Sequence, residues 1–301
     1  MSDASLMRQA GSVASLQDAA EALGASLPPL MVRAERLASA VSLGMHGRRK
    51  AGIGQSFWQF HHYRPGDPAN AIDWRQSAKS QHLYVREREW EAAQSVWLWR
   101  DGSPTMRYSS GGESKIDRAS LLALALGVLL VRGGERIALF GEREAPANSR
   151  AAYRRIGYAL CERAPADDAV PPERPLPRNA QFVWFGDFLA PLGEIETAIR
   201  RMTRRNAGGR LVHIVDPAEE DFPYAGRTRF ESVKGSANRI LGRAESVAGE
   251  YRARFKAHGE AVALLARKRG WNYLVHRTDR SPQTALAALY ADLGGGQRLR
   301  N

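Results

Sequence analysis

The sequence holds one cysteine, Cys161. A lone thiol cannot close a disulfide within its chain, so no disulfide-stapled, oxidising setting is implied. Long hydrophobic runs are missing too: the longest, about Leu121 to Val131, stops at Arg132 and Gly133. A bilayer span takes roughly 20 apolar residues, so this run predicts a buried core helix. The stretch Met1 to Leu27 has neither the charged start nor the unbroken apolar core of a secretory signal. A soluble, cytoplasmic protein is expected. There is no Walker A sequence, no Gly-x-Gly-x-x-Gly after a strand and no Gly-x-Ser-x-Gly elbow around Ser103. The usual grounds for nucleotide binding and serine-hydrolase chemistry are therefore absent.

What is present is ordinary in kind: 301 residues, 44% hydrophobic and 25% charged. That composition excludes disorder and allows a sizeable core. The charge is less ordinary, with 44 Lys and Arg against 32 Asp and Glu, a net +12. Such a balance permits acidic proteins, nucleic acid or anionic surfaces as partners and says nothing about fold.

Along the chain, Pro28 and Pro29 open a periodic helical segment that ends near Gly44 and Gly47. Aromatics then crowd together (Phe57, Trp58, Phe60, Tyr63, Trp74, Tyr84) around a turn at Pro65-Gly66-Asp67-Pro68, and Leu83 to Glu89 reads as a strand. Strands are expected at Ser95–Arg100, Arg136–Phe140, Gln181–Gly186, Leu211–Val215 and Trp271–Val275. Helices are expected at Ser114–Arg132, Ser149–Arg163, Glu194–Arg205, Ala244–Arg269 and Pro282–Leu293, with a proline-rich linker from Ala164 and a broken segment after Asp216. Alternating strands and helices imply an α/β fold, a mostly parallel sheet with helices on both faces. Ligands of such sheets bind beyond the carboxyl ends of the strands, where Asp101, Asp187 and Asp216 stand.

Tyr63-Arg64-Pro65-Gly66-Asp67, Ile72-Asp73-Trp74, Ser77-Ala78-Lys79 and Leu83-Tyr84-Val85-Arg86-Glu87 resemble the signature of domain-of-unknown-function family 58. Asp101-Gly102-Ser103-Pro104-Thr105-Met106, Lys115-Ile116-Asp117, Phe185 to Leu189 and Asp216 to Pro223 continue the pattern. The resemblance implies a von Willebrand factor A-like (Rossmann-like) domain over residues 93–293. A β-rich family segment would precede it at 51–92, with a helical extension at 1–50 and a flexible tail at 294–301. It also implies work alongside a MoxR-type AAA+ ATPase, with no established enzymatic activity. Where members often carry arginines before Ile72, this chain has Asn70 and Ala71.

The A-domain likeness brings a candidate metal site. Its first motif, Asp-x-Ser-x-Ser, is matched by Asp101, Ser103 and Thr105, and Asp187 matches the third. A carboxylate and two hydroxyls at alternate positions of a loop suit a hard cation such as Mg²⁺, which takes about six oxygens. The threonine of the second motif has no counterpart, for none lies between Thr105 and Thr197; Ser149 stands in about its place, where it also suits a helix N-cap. The same Asp, Ser and Thr types also satisfy backbone groups in tight turns.

Other candidates carry less. Arg200, Arg201, Arg204, Arg205 and Arg210, with Trp58 as a stacking platform, would suit phosphates but read as a solvated face. His61, His62 and His82 read as aromatic-cluster residues, since neighbours on a strand point to opposite faces. Asp67 and Asp73 read as structural, and Trp74 as a packed anchor. The function expected is a non-enzymatic adaptor. The alternatives are a metal-dependent hydrolase using the strand-end aspartates, and a non-specific nucleic-acid binder.

Overall fold

The structure, a computed structural model, describes residues 28–46, 57–63, 72–80, 82–88, 94–162, 167–231 and 238–295. Two compact units emerge: Met45–Ala93, and Met1–Gly44 together with Gln94–Asn301. The first helix, α1 (Pro29–His46), buries Met31, Ala34, Leu37, Ala38 and Val41 at helical spacing.

In the smaller unit, β1 (Phe57–His62) pairs antiparallel with β2 (Tyr84–Arg88). Between them lies a single helical turn, α2 (Trp74–Ser77). Asp73 caps it: Oδ1 accepts from the Gln76 N–H at 3.0 Å. Ile72 bridges Val85, the Asp73 N–H donates to the Tyr84 carbonyl at 2.8 Å, and Tyr84 N–H donates to Ser77 Oγ at 2.8 Å. The His62 ring lies 4.9 Å from His82 and 5.0 Å from Tyr84. Ile72, Asp73, Tyr84 and Val85 of the signature thus form one hydrogen-bonded knot, with Arg86 on β2 and Tyr63 exposed beside it. Pro65, Gly66 and Asp67 lie outside the described residues. Trp74, expected as a packed anchor, is instead 65% exposed at the first position of this single turn, whose one buried side chain is Ser77.

The larger unit is built on β3 (Ser95–Arg100), β4 (Arg136–Leu139), β5 (Gln181–Gly186), β6 (Gly208–Val215) and β9 (Asn272–Arg277). These pair in parallel in the order β4-β3-β5-β6-β9. The helices are α3 (Lys115–Arg132), α4 (Arg150–Cys161), α5 (Leu192–Thr203), α6 (Pro217–Asp221), α7 (Ala248–Lys268) and α8 (Pro282–Gly295). On one face α3, nearly all buried, packs against α4 and α8. On the other, Trp99, Phe182 and Trp184 meet Ile195 and Ile199 of α5 and Val262 and Ala266 of α7. A strand covered on both faces reads as a continuous apolar run, which is why these segments show little alternation. Helix α1 lies on α4: a side chain at Gly157 would begin 2.3 Å from Met31 Sδ. The segment after Asp216, expected to be broken, contains α6 and an antiparallel hairpin, β7 (Thr228–Glu231) with β8 (Asn238–Leu241). Among the described residues no helix is long and apolar enough to cross a membrane. The expected tail beyond Gly295 lies outside the described residues.

Counted within this unit the order is 2-1-3-4-5, so the chain's direction across the sheet reverses between β3 and β5. Open α/β sheets hold their ligands at that crevice. One glycine is fixed by packing: a side chain at Gly209 would begin 2.0 Å from the buried ring of Trp271. Gly209→Ala should therefore destabilise the fold by about 1–3 kcal/mol, as overpacking does. The urea midpoint should fall with its slope unchanged; an unmoved midpoint would refute the packing argument.

Candidate functional site at the strand ends

Asp101 follows β3, and its N–H donates to the Phe185 carbonyl at 2.8 Å, extending the β3–β5 pairing by one residue. Its Oδ1 accepts from the Ser103 N–H at 2.8 Å and opens the loop that continues as a short 3₁₀ turn, Pro104–Arg107. The Ser103 and Thr105 hydroxyls lie 3.0 Å apart. Asp101 Oδ2 is buried without a partner among the described residues. It faces Gly186, whose missing side chain would begin 3.1 Å both from it and from Trp184 Nε1. That indole nitrogen also has no partner. Burial first, and the nearby charge of Asp187 second, push the Asp101 carboxyl up to about 7, against the pull of Ser103 and Lys115.

Asp187 follows β5. Its Oδ1 accepts from the Leu189 N–H at 3.1 Å. Phe188 between them is left-handed, with φ 51°, a strained conformation for a buried side chain of this size. Asp187 Oδ2 accepts from Lys115 Nζ at 3.0 Å. Lys115 is fully buried at the first position of α3 and also pairs with Glu219 of α6. Burial works to lower its ionisation, but Asp187 and Glu219 outweigh that and hold it above the ordinary lysine range. Burial raises the Glu219 carboxyl, and Lys115 opposes the rise.

Glu219 belongs to a capping box. Its Oε2 accepts from the Asp216 N–H at 3.0 Å, while Asp216 Oδ1 accepts from the Ala218 N–H at 2.9 Å. Asp216 Oδ2 accepts from the Ser110 N–H at 2.9 Å, which ties the loop after β6 to the loop after β3. Beside this network lies a cavity of about 640 Å³ reached from Thr105, Tyr108 and Leu189, with Phe222, Tyr224, Phe230 and Tyr251 in its wall. That volume is in the range of small-ligand and side-chain pockets.

The structure thus brings Asp101, Ser103, Thr105 and Asp187 to one place, and adds Lys115 and Glu219, which the sequence reading did not single out as site residues. A signal was there: a lysine at the first position of a helix sits against the helix dipole. Ser149 is spent on α4, its Oγ accepting from the Ala152 N–H at 3.1 Å. Of the arginines, Arg210 is buried and bound to Asp292 and Gln181, and Arg201 donates to the Pro171 carbonyl at 2.7 Å. Arg200, Arg204 and Arg205 are exposed. The basic set is therefore divided between structural and solvated members.

A divalent cation of the adhesion-site kind does not fit these residues. Asp187 Oδ2 is held by an ammonium, Asp101 Oδ1 by a backbone N–H, and the free Asp101 oxygen looks toward Gly186 and Trp184. What the arrangement does chemically is lock three strand-end loops together through one buried positive charge.

A parallel α/β domain with a buried ionic cluster at its switch point is the class these observations define. The chain belongs to the family described as "Protein of unknown function DUF58", whose profile matches residues 59–261. Uncharacterised proteins of Mycobacterium bovis and Mycobacterium tuberculosis are each 26% identical over 273 residues, 86% of this chain and 86% of theirs. The solved structure of the conserved hypothetical protein BatB from Bacteroides thetaiotaomicron aligns with a TM-score of 0.41 at 12% identity, over 67% of this chain and 100% of that one.

Proposed function

We propose that the chain is a non-catalytic protein-interaction module of the von Willebrand factor A type. Its binding face is the carboxyl edge of the sheet, and its partner is a MoxR-type AAA+ ATPase. One observation carries the non-catalytic part: Asp187 and Glu219 are both committed to the buried Lys115. Asp187 and Glu219 neutralise Lys115, so neither is free as a general base. Asp101 alone is poised near neutrality, the usual mark of a catalytic carboxyl. Yet it is fully buried, with its free oxygen against Gly186, out of reach of a substrate proton. The rim around this inert cluster is suited to protein contact. Leu189 is exposed at its edge, and the aromatic-walled cavity can receive an apolar side chain. The choice of an ATPase rests on the family resemblance, and the net charge of +12 favours fast, salt-sensitive encounter with an acidic surface.

Affinity capture with the tagged full chain at low salt should recover an AAA+ ATPase of this type. Leu189→Arg or Tyr224→Asp should reduce the yield several-fold, whereas Arg200→Glu should alter mainly its salt dependence. Recovering no ATPase, while the purified chain hydrolyses a phosphoester in a manner lost with Asp187→Ala, would replace the adaptor by an enzyme.

A further inference from the structure

We propose that Lys115 supplies from within the chain the positive charge that a divalent ion supplies in ion-dependent domains of this shape, and so closes the site to Mg²⁺. The inference does not depend on which partner the site engages, since it concerns the chain alone.

Three features point to it. Lys115 is fully buried, and an ammonium leaves water only where carboxylates take water's place. Its two carboxylate partners come from separate elements, Asp187 after β5 and Glu219 on α6. A single atom, Nζ, therefore joins loops that follow three different strands, as a metal ion at this position would. Lastly, the lysine stands at the first position of α3, where the dipole disfavours a cation. Only the carboxylates facing it from the other elements account for its retention there. The Tyr108 ring, 5.9 Å from Nζ, closes the remaining side. A divalent ion entering beside Asp101 and Asp187 would meet the ammonium's repulsion and find the Asp187 oxygen already bonded.

The test is thermal unfolding of the full chain in EDTA and in millimolar Mg²⁺ or Mn²⁺, because an ion bound by the native state raises the melting temperature by mass action. The wild type should melt identically in all three. Lys115→Ala should melt lower in EDTA and recover part of the loss on adding the ion, and a second change, Asp187→Ala, should remove the recovery. Should Lys115→Ala not fold, the double variant Lys115→Met with Glu219→Gln, which removes one charge of each sign, takes its place. Its Asp187 would then be open to the ion, and it should melt higher in Mn²⁺ than in EDTA. Titrating wild-type protein into Mn²⁺ should leave the free-ion paramagnetic resonance signal unchanged. A melting temperature of the wild type that rises with Mg²⁺ and loses that rise in Asp101→Ala would overturn the proposal. So would depletion of free Mn²⁺ by the wild type, or a folded lysine variant indifferent to either ion.

Discussion

Lys115→Met should lower the unfolding free energy by about 3–5 kcal/mol, the usual result of removing one partner from a buried ion pair. The methionine is close in length and fills the space, so the loss will not come from a cavity. It will come from Asp187 and Glu219, left facing each other without a cation. Asp187 is almost wholly buried, and an uncompensated charge there must either stay in a low dielectric or take up a proton. The loss should therefore shrink as pH falls and the Glu219 carboxyl, which burial already raises, takes up a proton. Adding Glu219→Gln should restore part of the stability, because the two positions are in contact and their effects will not add. Urea titrations of the four proteins of this cycle read all three expectations. Equal losses at pH 5 and pH 8, with no recovery in the double variant, would show that the ammonium is not what holds the cluster.

Asp101→Asn should have the opposite sign above neutrality. In the folded chain the Asp101 carboxyl is pushed up to about 7 from 3.8. Between those values the folded state holds a proton that the unfolded chain has released. Stability falls with pH wherever the native state binds more protons, so Asp101 contributes no penalty below about pH 4 and its full penalty above about pH 7. A shift of this size corresponds to about 4 kcal/mol. Asparagine keeps the acceptor for the Ser103 N–H and carries no charge. The variant should thus match the wild type at pH 4 and exceed it progressively toward pH 8, with Asp187 and Lys115 the charged groups that face the position. A pH-independent difference between the two proteins would contradict this account. A buried carboxyl kept at such a cost is expected at a site held for function rather than stability.

Much of this architecture was legible before folding is considered. Val96 to Trp99, Phe182 to Phe185 and Leu211 to Val215 are apolar without alternation because both faces of each strand are covered. Ser114 and Ser149 announce α3 and α4 as side-chain caps. Asp101 and Asp187 could be placed at one end of the sheet because a parallel strand, once recognised, has a defined carboxyl end. The hairpin of β7 and β8 was not legible, for its strands are four residues each, too short for a period to stand out among the prolines and glycines before them. Arg210 was equally hidden. Among five arginines it reads as surface charge, and only pairing of β6 between β5 and β9 carries it inward to Asp292.

The amino-acid sequence by itself determined which segments became strands and helices, because caps, turns and hydrophobic periodicity act over a few residues. Which charges meet was decided by the tertiary structure. Lys115 lies 72 positions from Asp187 and 104 from Glu219, separations across which no local pattern links one residue to another. Strand order alone sets β3 beside β5 and β6 beyond it, and burial then forces the ammonium at the start of α3 to take the carboxylates that this order delivers.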